Sequence, residues 1–152
     1  MVAPYTRAGN YGLLWVAIGC ACGRPVRVAA TVWGTLAVNY AVKSVVRRER
    51  PAEPRATLVP APASTSFPSS HAAMSTAAAI ARCAARPRLA PVWVGMAAGM
   101  AWSRVYAGVH HPGDVAAGVA LGAYPDFLKL WTGQTISVFG SLITRLALPF
   151  TA

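Results

Sequence analysis

Short basic or proline-rich connections divide the chain into long apolar segments. These segments cover about 10–23, 26–46, 72–85, 90–105, 112–131 and 132–150. A helix that rises about 1.5 Å per residue needs roughly 20 residues to cross about 30 Å of hydrocarbon. The second segment is long enough, whereas the first would have to thin the bilayer or borrow flanking residues. The pattern predicts an all-α integral membrane bundle of five to six transmembrane helices, in which 132–150 spans the membrane or lies in its interface.

Composition favours the same class of protein. The 152 residues suit one domain, and 55% of them are hydrophobic against 12% charged. A mean hydropathy of +0.45 is too high for a typical soluble domain. The three cysteines lie inside apolar runs and match neither a disulfide framework nor a zinc knuckle, so we interpret them as packing residues. We therefore treat 1–152 as a single membrane-embedded domain.

Charge narrows the possible partners. The chain has 14 Lys and Arg against 4 Asp and Glu, which gives a formal net charge of +10. Such an excess indicates anionic partners: lipid headgroups, nucleic acid or a phosphorylated substrate. The basic residues lie at the ends of apolar segments instead of alternating with exposed aromatic residues, which argues against nucleic acid. The predicted partners are the bilayer and a lipid phosphate, and the oligomeric state is left open.

Polar chemistry is concentrated in the stretch S-R-V-Y-A-G-V-H-H-P-G-D at 103–114. Pro112 suits the first position of a helix, so His110 would lie just outside a helix start and Asp114 in its first turn. A carboxylate that meets the imidazole can hold one ring nitrogen protonated, which leaves the other free as a nucleophile or base. Because Pro112 forces His111 into an extended conformation, the two neighbouring histidines should point in different directions.

A second candidate stretch ends the segment 26–46. Lys43 and Arg50 are seven residues apart, so they would share one helix face, about 10 Å apart along the axis, if the helix persists between them. The prolines of the active-site loop 51–68 disfavour helical conformation in the residues before them, so this helix should end by about Arg50. Two cations can thus point into one pocket.

The third stretch is S-F-P-S-S-H at 66–71, just before an alanine-rich segment. Ser69 or Ser70 is a natural N-cap, and the free N–H groups of a first helical turn can bind an anion. His71 would stand at that anion site. In a bundle of alternating helices the three stretches fall on one membrane face. We therefore expect these side chains to converge: Lys43, Arg50, Ser70, His71, Arg104, His110 and Asp114.

Together these motifs resemble the three-part signature of the type 2 phosphatidic acid phosphatase family. The matching positions are Lys43 with six residues to Arg50-Pro51, P-S-S-H at 68–71, and Ser103-Arg104 with five residues to His110 and three more to Asp114. Their order and spacing fit throughout the motif region 43–114. Ser70 departs from the family pattern, which usually has glycine there. A small residue should still let its backbone N–H approach phosphate, with less conformational freedom.

The resemblance implies a six-helix membrane fold and cofactor-free, metal-independent hydrolysis of a lipid phosphate. His110, which family spacing selects over His111, would attack phosphorus to form a phosphohistidine. Asp114 would orient His110, and His71 would protonate the leaving oxygen. The phosphoryl oxygens would be bound by Lys43, Arg50, Arg104 and backbone N–H groups near Ser69 and Ser70. Positioning and cations are what such a slow reaction needs. The possible substrates are polyprenyl phosphate or diphosphate, phosphatidic acid and phosphatidylglycerol phosphate.

Other functions share part of this pattern. A vanadium haloperoxidase has the same constellation, but those enzymes are soluble. A non-catalytic module that only binds lipid phosphate would need the cations, but it would not need His71, His110 and Asp114. A metal ion held by these three residues would be repelled by the neighbouring cations at an effective dielectric constant of about 20. No metal site is therefore predicted.

The expected location is a bacterial cell membrane, and the charge of the loops predicts which side of it the active site faces. Apart from the three predicted phosphate-binding cations, the active-site face carries Arg7, Arg47, Arg48 and Arg55. The opposite face carries Arg24, Arg27, Arg82, Arg86, Arg88 and Lys129. Short loops rich in Lys and Arg tend to stay in the cytoplasm, so this excess predicts an active site on the extracytoplasmic face.

Overall fold

The computed structural model describes residues 2–23, 25–52 and 63–124, together with Gly140 and Thr144. These residues form the helices α1 (Val2–Ala8), α2 (Leu13–Ala21), α3 (Pro25–Val46), α4 (Ser70–Ala85), α5 (Ala90–Tyr106) and α6 (Pro112–Gly122). Short 3₁₀ turns at Asn10–Gly12 and Pro87–Leu89 precede α2 and α5. The predicted segment 132–150, apart from Gly140 and Thr144, lies outside the described residues, as do positions 125–131.

The middle helices agree with the apolar segments. The observed α3, α4 and α5 begin and end within two residues of the predicted bounds. The Ser69 hydroxyl accepts a hydrogen bond from the Ala72 N–H, which confirms the predicted N-cap of α4. Pro112 is the first residue of α6, as its fixed φ favours. Local signals therefore account for where these helices begin and end.

The first apolar segment folds differently from its prediction. The pattern predicts one helix over about 10–23, but Asn10–Gly12 forms a 3₁₀ turn and only Leu13–Ala21 is α-helical, while α1 is a further helix before this segment. The turn contains Gly12, with φ +75°, and a Cβ at this position would lie 2.1 Å from Val32 Cγ1. Both the positive φ and the close approach require glycine. Helix α1 instead packs beside α5, where the Tyr5 hydroxyl donates to the Met96 carbonyl.

Helix length and polarity decide whether a helix can cross a membrane. Within the described part of the chain, no helix is both long enough and apolar enough to cross a membrane. Helix α2 has 9 residues and α5 has 17, against the roughly 20 that a span needs. Helix α3 has 22 residues, but it carries Asn39 and Lys43, both buried. The all-α prediction is confirmed for the described residues, and the spanning helices stay a prediction.

Helix α4 lies at the centre of the bundle and packs against α3, α5 and α6. Its buried alanines allow the neighbouring helices to approach closely. Trp15, Met74 and Trp93 are the largest buried side chains of the main hydrophobic cluster. The Trp15 indole N–H donates to the Ser75 hydroxyl at 3.0 Å, so the polar edge of this buried ring is satisfied.

Two glycines set the distance between α6 and α4. A Cβ at Gly118 would lie 2.5 Å from the Ser69 carbonyl oxygen, and one at Gly122 would lie 2.2 Å from the Ala73 carbonyl oxygen. The small-x-x-x-small pattern predicts this close packing of backbones, and the structure confirms it. For the similar pair, a Cβ at Gly99 would lie 3.8 Å from the Tyr5 ring of α1, and one at Gly95 would meet no atom of the described residues within 4 Å. Close packing at Gly95 therefore stays a prediction. This seam between α6 and α4 places the middle and the end of α6 beside the first turn of α4, and it leaves Asp114 next to the N-cap residue Ser69.

Candidate active site

One end of the bundle gathers the predicted motifs. The ends of α3 and α5 meet the starts of α4 and α6 around the loop 63–69. The Ser66 N–H donates to the Arg48 carbonyl at 2.7 Å, and the Ser69 N–H donates to the Asp114 carbonyl at 2.9 Å. These two bonds hold the loop between the end of α3 and the start of α6. Side chains from three separate motifs thereby become neighbours.

Asp114 is fully buried at the start of α6 and has partners on both carboxylate oxygens. Oδ2 accepts from the His111 N–H at 2.9 Å and from the Ser66 hydroxyl. Oδ1 accepts from Arg48 at 3.0 Å. The His110 Nδ1 lies 3.9 Å from Oδ2, which is too far for a hydrogen bond. The predicted direct contact is therefore not made, because the carboxylate caps its own helix instead.

Ser66 spans the gap between the carboxylate and the ring. Its hydroxyl lies 3.5 Å from His110 Nδ1 while it also contacts Asp114. On the other side of the ring, Nε2 lies 3.3 Å from the Arg50 guanidinium, which can only donate. In the neutral ring Nε2 is then the acceptor and Nδ1 carries the hydrogen. This tautomer leaves a lone pair on Nε2 directed towards the cations.

Lys43 and Arg50 come together by a route that differs from the prediction. Helix α3 ends at Val46, and Arg47 has a positive φ of 46°, so no continuous helix face joins the two cations. Both side chains instead donate to the Thr65 carbonyl, from Lys43 Nζ and from Arg50 Nη2. The carbonyls of the loop thus position the two cations beside His110.

Arg104 is the most unusual side chain at this end. It is 0% exposed, and its three guanidinium nitrogens have no hydrogen-bond partner among the described residues. A buried charge whose N–H groups are left unpaired is costly, so this group is suited to receive an anion. Burial, followed by the positive charges of Arg50 and Arg104, lowers the pKa of His110 to about 2. Arg104 is therefore within electrostatic reach of the imidazole.

His71 lies in the first turn of α4, as the sequence predicts. Its Nε2 is 3.0 Å from Asn10 Oδ1, a contact between the 3₁₀ turn before α2 and the start of α4. The ring is partly exposed, unlike that of His110. An Nε2–H held by Asn10 would leave Nδ1 for a proton on its way to or from a ligand.

The first turn of α4 offers fewer N–H groups than the sequence predicts. The Ser69 N–H is occupied by the Asp114 carbonyl, so this group is not available to phosphate. The Ser70 N–H lies at the first helical position, where a helix supplies no acceptor. The Ser70 hydroxyl donates to Asn39 Oδ1 at 2.6 Å, and the Asn39 amide donates to the Pro68 carbonyl at 3.3 Å. Asn39 of α3 thus holds the start of α4 through hydrogen bonds to Pro68 and Ser70.

Four residues of the site were not among the predicted ones: Asn10, Asn39, Arg48 and Ser66. Asn39 is the lone amide side chain in the apolar segment 26–46, and such a polar group is expected to face the bundle interior or the headgroups. Ser66 is the first residue of the stretch S-F-P-S-S-H, but its type and spacing do not distinguish it from the serines nearer His71. Asn10 meets His71 across 61 positions of sequence, and Arg48 meets Asp114 across 66. Such contacts depend on helix packing, which local patterns do not specify.

A metal site at this end would need several suitable side chains grouped together. Within the described ranges, no three His, Cys, Asp or Glu side chains are grouped so that they could hold a metal ion. His71, His110 and Asp114 therefore do not form a ligand set. The expectation of metal-independent chemistry stays a prediction.

Comparison with known proteins identifies the family. The sequence profile of the PAP2 superfamily matches residues 24–135, which include all three motifs. The chain belongs to the PAP2 superfamily. The resemblance to the type 2 phosphatidic acid phosphatases is thereby confirmed. The superfamily match leaves the role of each residue as a proposal.

Relatives within the superfamily are similar over part of their length. The decaprenylphosphoryl-5-phosphoribose phosphatase of Mycobacterium tuberculosis is 47% identical over 88 residues, which cover 57% of this chain and 49% of the relative. The enzyme of the same name from Mycolicibacterium smegmatis is 38% identical over 119 residues, which cover 72% of this chain and 65% of the relative. The match therefore spans about half of the first relative and just under two thirds of the second.

A solved structure supports the fold. The transmembrane PAP2-type phosphatidylglycerolphosphate phosphatase from Bacillus subtilis superimposes with a TM-score of 0.66 at 23% sequence identity. The match covers 88% of this chain and 75% of the Bacillus subtilis chain. At this identity the likeness shows a shared helical fold.

Proposed function

We propose that the chain is a membrane-bound phosphatase that hydrolyses a lipid phosphate through a phosphohistidine at His110. The observation that carries the proposal is Arg104, a fully buried guanidinium with no described hydrogen-bond partner, in electrostatic reach of His110. A phosphoryl group is a chemically suitable partner, since arginine binds its oxygens in a bidentate manner. Lys43 and Arg50 add positive charge on the same side of the ring.

The proposed reaction has two steps. His110 Nε2 attacks phosphorus, so a P–N bond forms while the P–O bond to the leaving group breaks, and His71 donates a proton to the leaving oxygen. Water then attacks the phosphohistidine, giving its proton back to His71, and the P–N bond breaks to release phosphate. Asp114, acting through Ser66, would hold Nδ1–H throughout. The cations stabilise the equatorial charge of each transition state.

The proposed substrate is a polyprenyl-linked sugar phosphate, with decaprenylphosphoryl-5-phosphoribose as the first compound to test. This choice rests on the two mycobacterial relatives and on the chemistry of the site. A phosphate monoester offers three oxygens to Arg104, Arg50 and Lys43. Phosphatidic acid, phosphatidylglycerol phosphate and polyprenyl phosphate or diphosphate are the alternatives.

Phosphate release by the purified full chain in detergent would test the proposal. The panel comprises the named substrate, the lipid alternatives and a soluble phosphate ester such as p-nitrophenyl phosphate. We expect turnover of the lipid-linked monoester, inhibition by vanadate and full activity in EDTA. Equal or better turnover of the soluble ester contradicts a lipid substrate. Loss of activity on chelation, restored by a metal, contradicts the metal-free mechanism. Binding without any turnover would favour the non-catalytic module.

We further propose that the site faces away from the cytoplasm. Supporting this, Arg27, Arg86 and Arg88 are exposed at the opposite end, against Arg7 and Arg47 at the site end, where Arg48 is engaged with Asp114. Arg82, which the sequence places on the opposite face, is a buried residue of α4 and is therefore left out of this comparison of loop charges. Arg24, Arg55 and Lys129 lie outside the described residues. A single cysteine introduced at Ala63, in a chain whose own cysteines are replaced, should react in intact cells with a membrane-impermeant reagent. Reaction only after lysis contradicts this orientation.

A further inference from the structure

A second basic region lies at the end of the bundle opposite His110. A cavity of about 440 Å³ opens there between the first turns of α3 and the last turns of α4. Arg27 precedes Lys43 by sixteen residues on α3, and Arg82 follows His71 by eleven on α4. At about 1.5 Å per residue these separations are about 24 and 16 Å along the helix axes. The cavity is therefore distinct from the candidate active site.

Charge in this cavity is of one sign. Arg27 and Thr31 line it from α3 and Arg82 lines it from α4, while Val28 and four alanines supply the rest. None of these lining residues is acidic. Glu49 and Asp114, the acidic residues that the structure describes, both belong to the other end of the bundle. Positive charge here is thus left without a neighbouring carboxylate from the described chain.

Arg82 is the residue that requires an explanation. It is 1% exposed, and its Nε and Nη2 have no hydrogen-bond partner among the described residues. The guanidinium carbon lies 5.1 Å from the centroid of the Trp93 ring. This stacking satisfies a face of the guanidinium but none of the N–H groups in its plane. Buried donors of a charged group call for an acceptor, and an anion supplies one.

We propose that this cavity binds the phosphate group of an anionic ligand through Arg82, with Arg27 as a second cation at its rim. The planar fork of Arg82 matches two phosphate oxygens, and the small apolar walls leave room for the rest of the ligand. A phospholipid headgroup and free inorganic phosphate share this chemistry. The lining contains no histidine, cysteine or carboxylate, so the site binds phosphate without cleaving it.

Binding to the purified full chain tests the proposal without any need for turnover. Arg104→Gln serves as the parent, because it disables the other phosphate site. Native mass spectrometry then counts bound phosphatidylglycerol and, as a neutral comparison, phosphatidylcholine. A separate arm measures protection of the fold by inorganic phosphate alone. We expect the parent to retain one anionic ligand, and Arg82→Gln or Arg27→Gln to weaken it about tenfold.

Matched controls separate this site from general surface charge. Arg88→Gln changes an exposed arginine at the same end that does not line the cavity, and it should bind as the parent does. Arg27 is exposed, so its replacement tests the cavity even where Arg82→Gln lowers the melting temperature. Retention of phosphatidylglycerol alone identifies a headgroup site, and protection by inorganic phosphate identifies a free-phosphate site. Binding that ignores both Arg27 and Arg82, or falls equally in Arg88→Gln, overturns the proposal.

Discussion

Arg104 and Arg82 are both buried arginines with unpaired guanidinium nitrogens, yet they lie in contrasting surroundings. Arg104 interacts electrostatically with two histidines and two further cations: His71, His110, Lys43 and Arg50. Around Arg82 lie a tryptophan ring and alanines. The comparison teaches that a buried, unpaired cation indicates where an anion binds, whereas the titratable groups beside it decide whether bonds can break there. The predictions below test that distinction at the His110 end.

The largest effect is expected from the proposed nucleophile. His110→Ala should abolish phosphoenzyme formation and reduce turnover by about 10⁴-fold or more, the scale seen when a nucleophile is removed. His111→Ala is the matched control, because His111 contributes its backbone N–H to Asp114 and should keep most of the activity. Acid-quench trapping followed by mass spectrometry locates the phosphate. A phosphate found on His111 would reverse the assignment and break the comparison.

The next largest effect concerns Arg104 itself. Arg104→Gln should lower kcat/KM by about 10²–10³-fold, because it removes a preorganised charge from the transition state. Arg88→Gln removes an equal charge from the exposed surface of the opposite end and should leave steady-state kinetics close to those of the wild type. Equal losses in the two variants would mean that only net charge matters, and the distinction between the two regions would fail.

Ser66 should have a smaller effect that reports on geometry. Ser66→Ala removes the hydroxyl between Asp114 and His110 Nδ1, and we expect kcat to fall about tenfold with KM nearly unchanged. The loss should not add to that of Asp114→Asn, since both act through the same ring nitrogen. Ser44→Ala, at an exposed serine bonded within its own helix, is the control. Additive losses would show that Ser66 acts independently of Asp114.

The smallest effect is expected in the pH profile. Burial and the neighbouring cations lower the pKa of His110, so its ring stays neutral and nucleophilic as the pH falls through about 6.5. A fall of kcat/KM in acid near that pH would therefore report the titration of a different group. Arg50→Gln removes a positive charge beside the ring, which raises the pKa of His110 and moves its acid limb to higher pH. Arg47→Gln, at an exposed residue, should leave the profile unchanged. A shift to lower pH in Arg50→Gln would contradict this electrostatic account.

Sequence patterns predicted the ends of α4 and the start of α6, because Ser69 and Pro112 act through local backbone geometry. Residue type and spacing also pointed to side chains that the structure brings to one end of the bundle, while their roles stay proposals. The manner in which Lys43 and Arg50 meet was not predictable, since it depends on loop carbonyls rather than on a helix face. The contact of Asn10 with His71 likewise required α1 and α2 to be placed first. Long-range packing, which determines such contacts, leaves no short periodic signal.

The seam between α6 and α4 constrains how this protein can evolve. At Gly122 even one methyl group would meet the backbone of Ala73, which has no side-chain rotamer with which to yield. In a library of random variants selected for activity, Gly122 should therefore tolerate no replacement, whereas Gly95, where a Cβ would meet no described atom within 4 Å, should accept more. Sequence change at the His110 end of the bundle is thus limited by a glycine that has no role in the proposed reaction.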